Sequence, residues 1–310
     1  MTSTYSTSTV VDVVEALPTL FGFTPADSFV AIVTEGPRNR FGFRLRLDMP
    51  NAAGVDGAAQ IIAGHMNTHR QDGVVLVALT ASQEAADALM AGVVTYLSEA
   101  PVVLALRADD AHVWEYNRHG RPDHGAPVHD RHRVVSEAVV KAVTEGQQIW
   151  SSREELAALF EPAPIFDGIT DAAAFIEADG QEATERLALS ATAALEEAAT
   201  GDLLVYQYRV LAVAAQVIPD RDAIWSTITR ATAESDAEVW RAVAIKTAGT
   251  AAAGPYALAA FGYWLAGDGA RAAMAVDQAM NANPRHSMGD LVRTVVSLGL
   301  APSTWKGIPG

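Results

Sequence analysis

The sequence has no cysteine. That excludes disulfides, thiolate metal sites and cysteine nucleophiles. It also lacks any apolar run of about 18 residues, the length a membrane helix needs. Its start, MTSTYSTSTVVDVVEAL, has neither a basic segment nor a sustained apolar one, so no secretory leader is expected. These absences lead to the expectation of a cytoplasmic protein. Lysine is nearly missing: of 22 basic residues, 19 are arginine. Against 37 acidic residues this leaves a net charge of −15, which argues against a membrane surface or nucleic acid as partner. The chain carries no GxGxxG, GxxxxGK[ST], HExxH or GxSxG and no EF-hand loop, so no cofactor is expected and no reaction is named.

What is present is patterned hydrophobicity. The 310 residues are half hydrophobic, enough for two domains with their own cores. SFVAIVT (28–34) reads as a buried strand. In FGFRLRLDM (41–49), Phe41, Phe43, Leu45 and Leu47 alternate with Arg44, Arg46 and Asp48, which predicts a hairpin strand with one exposed face. AAQIIAGHMNTHR predicts a helix, GVVLVALT (73–80) a central strand, and SQEAADALMAGVVTYLSEA a helix capped by Ser82. PVVLALRADD and HVWEYN complete an antiparallel pair. The first domain, 1–150, is therefore expected to be α/β with a mixed five-stranded sheet.

A polar loop, 118–133, follows, rich in Arg and His. Beyond it the periodicity is helical, predicting an all-α domain over 151–310. Ser151 with Glu154, Ser152 with Glu155 and Ser235 with Glu238 have capping-box spacing. Pro162, Pro164, Pro219 and Pro255 punctuate the helices. Near the end, GPYALAAFGYWLAGDGARAAMAVDQAMNANP follows the tetratricopeptide pattern. Ala260 and Tyr263 lie in its first helix, Gly267 and Asp268 in its turn, Ala272 and Ala279 in its second helix, and Pro284 ends it. A bulky residue at Gly267 or Ala272 is expected to clash between the two helices. Since about three such units are needed for a solenoid, the hairpin is expected to pack on neighbouring helices rather than form a peptide-binding array.

The segments LPTLFGFTPADSFVAIV, GFRLRLDMP, GVVLVALT, SSREELAALF and the terminal hairpin together resemble domain-of-unknown-function family 4192. The resemblance covers nearly the whole chain. It implies a shared fold and an origin in actinobacteria or their phages, and it brings no activity and no catalytic residues.

Four constellations could carry chemistry. His119, His124, His129 and His132, with Asp123 and Asp130, offer nitrogen and oxygen ligands; the four interleaved arginines (Arg118, Arg121, Arg131 and Arg133) and the absent thiolates favour a solvated loop, and no metal is expected. His65 and His69 sit one helical turn apart without an acidic partner and read as an exposed helix face. Arg44, Arg46 and Asp48 could share an anion through guanidinium forks, but an exposed face balanced by acidic neighbours, or one covered by a helix of the second half, is the favoured reading. Finally, ligands of α/β sheets gather at strand carboxyl ends, which here present Asp48 and Asn51, Thr80 and Ser82, and Arg107, Asp109 and Asp110. Arg107, at the end of an apolar strand, must meet either an acidic residue or a bound anion. The leading expectation is a binding or regulatory protein acting on another protein, or on a second copy of itself, through its helical half. The alternative is an enzyme or sensor with an anionic or metal-bridged small-molecule site at that sheet edge.

Overall fold

Two strands without a single exposed interior position organise the first half of the chain. β1 (Ser28–Glu35) and β3 (Gly73–Leu79) are buried on both faces, as their runs of Val, Ile and Leu require. The computed structural model describes residues 9–69, 72–98, 101–116, 125–127, 136–166, 187, 189–198 and 203–307. The chain divides into two compact units, Met1–Glu155 and Leu156–Gly310.

In the first unit β1 pairs antiparallel with both β2 (Arg40–Asp48) and β3, and β3 pairs parallel with β4 (Val102–Ala108). β4 pairs antiparallel with β5 (His112–Glu115), and β5 with β6 (Ala126–Pro127). The order is β2-β1-β3-β4-β5-β6, a mixed sheet of six strands rather than five. The sixth is two residues of the expected polar loop, too short to carry any alternation.

One face of the sheet packs on α2 (Val55–His69) and α3 (Gln83–Tyr96). Phe29, Ala31, Leu76 and Ala78 meet Ile62, Met66, Leu89 and Val93 in one buried cluster. Ser82 caps α3 as expected, its Oγ accepting from the Ala85 N–H at 3.2 Å. The strict alternation of β2 fails at its start. The β1–β2 register slips between Ile32 and Thr34, so Ile32 faces Arg44 but Thr34 faces Phe41. This bulge sends Phe41 to the opposite face from Phe43, because an extra residue reverses the alternation.

α1 (Val10–Phe21) is not among the elements that the sequence predicts, because VVDVV favours a strand and Pro18 lies within the helix. Its start is fixed by a capping box between Thr9 and Asp12. It packs against α4 (Glu137–Thr144) and β5. After α1 the chain turns through Gly22, whose φ of 74° is left-handed. Residues 22–24 then bridge Trp150: Trp150 N–H donates to Gly22 O at 2.8 Å and Thr24 N–H to Trp150 O at 3.0 Å. The start of α5 (Arg153–Ala158) follows the expected boxes in part. Ser152 caps the helix by accepting from Glu155 N–H at 3.1 Å, while the Glu155 carboxylate turns back to Ser151.

The second unit is helical. Its described helices include α6 (Val205–Ala214), α7 (Ile218–Thr227), α8 (Ala233–Lys246), α9 (Ala253–Ala266), α10 (Gly269–Ala282) and α11 (Ser287–Ser297). Every residue of α9 from Ala253 to Leu265 is buried. A helix apolar all round belongs at the centre of a bundle, and α9 packs against α8, α10 and α11. Close approach depends on glycine: a Cβ on Gly254 would overlap the Ala215 carbonyl, and one on Gly262 would lie 2.8 Å from Ala233 O.

The α9–α10 hairpin falls where the sequence places it. Gly267 ends α9 with φ 89°, and Asp268 caps α10 through the Arg271 N–H at 2.8 Å. Two details differ from expectation. A Cβ on Gly267 meets nothing within 4 Å, so glycine is needed there for backbone conformation and not for clearance. Ser235 is no cap either, because α8 starts three residues earlier, after Thr232, and Ser235 Oγ donates to Thr232 O.

Candidate functional site

At one edge of the sheet the carboxyl ends of β2, β3 and β4 do come together. The register row Asp48, Ser28, Leu79, Ala108 and Val113 crosses five strands there. The expected site residues nevertheless form two separate groups. Arg46 lies opposite Val30, and Val30 opposite Val77, which pairs with Leu106; Arg107 pairs with Ala78 and Trp114. Adjacent strand positions alternate faces, so Arg46 and Arg107 point to opposite sides of the sheet.

Arg107 is buried, and its partners are all internal. The guanidinium lies 4.1 Å from the Trp114 ring centroid, a cation–π contact strengthened by desolvation. Nε donates to Thr80 O at 3.2 Å and Nη2 to Ala81 O at 2.9 Å, with Asp109 Oδ2 at 3.4 Å. Asp109 thus brings one carboxylate within reach of the guanidinium. The other Asp109 oxygen accepts from Ala111 and His112 N–H at 2.9 and 2.8 Å, closing the β4–β5 turn. Thr80 Oγ1 accepts from Ser82 N–H, and Asp110 stands exposed on the turn. The group thus fastens two loops to each other.

On the opposite face Arg44 and Arg46 tie down the end of α1. Arg44 Nε donates to Leu20 O at 2.8 Å, one of the last carbonyls of the helix, which lack intrahelical donors. Arg46 Nε donates to Ser28 Oγ at 2.8 Å, its Nη1 pairs with Asp48 at 2.6 Å, and the guanidinium stands over Phe23. Burial lowers the Arg46 pKa, with Asp48 opposing that effect. The chain's own loop therefore covers this face at Arg46, while Arg44 and Asp48 remain exposed as read.

His65 and His69 are half-buried rather than exposed. Both rings stack on Phe43, with centroids at 6.0 and 4.1 Å. Burial, then His69, lowers the His65 pKa. His119, His124, His129 and His132, with Asp123, Asp130, Arg118, Arg121, Arg131 and Arg133, lie outside the described residues. Among the described residues no three His, Asp or Glu side chains are grouped to hold a metal ion, and no helix is long and apolar enough to cross a membrane.

The helical unit carries three further features that the sequence reading does not reach. Glu238 accepts from Tyr263 Oη and Arg271 Nη1, each at 2.8 Å, and from Arg241 Nη2 at 2.9 Å. Arg271 also pairs with Asp268 at 2.6 Å and Glu234 at 3.1 Å, linking α8, α9 and α10. Burial, then the Glu238 charge, raises the Tyr263 pKa, keeping its hydroxyl a donor. Second, Trp225, Phe261 and Trp264 form an aromatic group with Trp305. No spacing signal connects residues 225, 261 and 305, which only the fold brings together. Third, α11 has an apolar arc wider than the face it buries. Met288 and Val292 point inward, while Leu291 and Leu298 are exposed.

Fold and site together define a class: a mixed α/β sheet unit and a second unit whose described elements are helices, with cationic side chains at the sheet edge engaged by the chain's own carbonyls and carboxylates. The family model described as domain of unknown function (DUF4192) matches residues 11–303, and the chain belongs to that family. No curated protein and no solved structure matches it.

Proposed function

We propose that the chain is a binding or regulatory protein that engages another protein through its helical half. The observation that carries this reading is the outer strip of α11. Leu291 and Leu298, 48% and 53% exposed, lie two turns apart on one face, with half-buried Val295 between them. Scattered exposed leucines need no explanation. Positions i, i+4 and i+7 aligned on one helix are the pattern by which an amphipathic helix docks into an apolar groove. The arginines of the sheet edge support the same choice, since their donors are turned to internal acceptors. In this reading the α9–α10 hairpin is a single tetratricopeptide-like unit closing a core, and the protein acts in the cytoplasm.

The test is the full-length double variant L291E/L298E, compared with wild type in cross-linking and affinity capture from the source cell. The expected result is at least a tenfold loss of the captured partner with an unchanged melting temperature. Undiminished capture would move the binding surface elsewhere and defeat the reading.

A further inference from the structure

We infer that residues 299–306, with their 3-10 turn at Pro302–Thr304, act as a peptide bound in cis, covering an aromatic groove that accepts an aromatic-anchored and acidic segment of a partner protein. After α11 the chain leaves through Gly299, with φ 62°. Its described backbone hydrogen bonds are all local: Gly299 N–H to Val296 O, Leu300 to Val295, Thr304 to Ala301 and Trp305 to Pro302. Side chains hold it in place. Trp264 Nε1 donates to Leu300 O at 2.7 Å. Trp305 stacks on Trp225 with centroids 5.4 Å apart and planes at 19°, and it meets Phe261 edge-on at 5.0 Å. Such a segment resembles a ligand: one aromatic anchor, one carbonyl contact, and no ladder joining it to the helices.

The groove itself belongs to α7 and α9, which supply Trp225, Phe261 and Trp264. The tail fits it incompletely. Trp225 Nε1 is buried with no acceptor, an unmet donor that a better-fitting segment would satisfy. Beside the aromatic group a shallow, open depression lies between Pro302 and Ser303 of the tail, the α9 end at Leu265, Ala266 and Gly267, and Arg230. Arg230 is exposed and has no ion-pair partner among the described residues. Beside that cation the tail places Pro302 and Ser303, with Lys306 Nζ donating to Ser303 O at 3.3 Å, and no carboxylate. A segment with a carboxylate there and an aromatic residue beyond it matches the groove better than the tail does. Local concentration favours the tail, which a partner must displace.

This inference shares with the proposed function only that the helical half binds protein, and it concerns a different surface. The experiment uses the full-length chain and a labelled peptide, GLAPSTWKG (residues 299–307), read by fluorescence anisotropy. W305A should bind the peptide at least tenfold more tightly than wild type, because its groove is open. A peptide carrying S303E should bind W305A severalfold more tightly again, and R230A should remove that advantage. L291E/L298E should leave all of this unchanged, so either proposal can fail alone. If W305A keeps the wild-type circular dichroism and binds neither peptide at millimolar concentration, the inference is wrong. Should W305A fail to fold, hydrogen exchange on wild type decides. The Leu300, Thr304 and Trp305 amides should exchange at least a hundredfold faster than those of Leu258 to Trp264, and equal rates would make the tail ordinary core.

Discussion

Arg107 and Trp114 are direct register partners across β4 and β5, and the guanidinium of one covers the ring of the other at 4.1 Å. This pairing turns a buried charge into a fastener. The cation reaches past the ring to the Thr80 and Ala81 carbonyls and to Asp109, which in turn closes the next turn.

Replacing Arg107 by methionine should therefore destabilise the first unit. Two carbonyls would lose their donor, at about 1–3 kcal/mol. R107K should recover only part of the loss, since an ammonium cannot fork between the carbonyls while lying flat on the ring. Urea unfolding of the three proteins measures both, and added phosphate should not restore R107M. Stabilisation of the wild type by phosphate that R107M abolishes would instead show Arg107 holding an anion.

Three glycine-to-alanine changes should differ in sign. G254A and G262A insert a methyl against the Ala215 and Ala233 carbonyls, and overpacking there should cost about 1–3 kcal/mol. G64A, on an open face of α2 with nothing within 4 Å, should instead stabilise by about 0.5–1 kcal/mol through helix propensity. Equal effects at all three sites would contradict the packing described.

Gly267 and Ala272 should fail for different reasons. At Gly267 any side chain has room but must hold φ 89°, so alanine should cost about 1 kcal/mol and larger residues little more. At Ala272, wholly buried, the loss should grow with side-chain volume. A series of Ala, Val and Leu substitutions followed by thermal melts separates the two patterns.

Acidification should weaken the fold below about pH 6.5, the ordinary histidine value. The His65 pKa is lowered by burial and His69, and the His286 pKa by burial and Arg221. The unfolded chain therefore takes up these protons first as pH falls, and the stability present above pH 6.5 is lost on passing down to the folded values. His286 Nδ1 accepts from Gly289 N–H at 3.1 Å as the α11 cap, a role that protonation removes. H286A should cost about 0.5–2 kcal/mol at pH 7.5. H286N should keep the cap and flatten the melting temperature between pH 7.5 and 5.5; an unchanged slope would exonerate His286.

Much of this architecture is legible in the sequence where burial writes its own pattern. The runs at 28–34 and 73–80 are strands because both faces are covered, and Gly267-Asp268 marks a turn because glycine alone is at ease there. The rest depends on partners that leave no local trace. A bulge moves Phe41 across the sheet, and α1 hides behind β-branched residues and a proline. The edge arginines are recognisable as residues needing partners, but the partners are main-chain carbonyls, identical in every residue. Asp109 could be anticipated beside Arg107; Leu20 O beside Arg44 could not.

The two hydrogen bonds joining Gly22 and Thr24 to Trp150 have a temporal meaning. They tie the start of the first unit to its end, so they cannot form while that unit is still being synthesised. A ribosome releasing this chain exposes α1 and β1 long before their latch exists. Contacts so distant in sequence slow folding, and domains otherwise form as they emerge. Arg44 and Arg46 can hold the end of α1 as soon as β2 has emerged, and Trp150 adds the last fastening only when the whole unit is out.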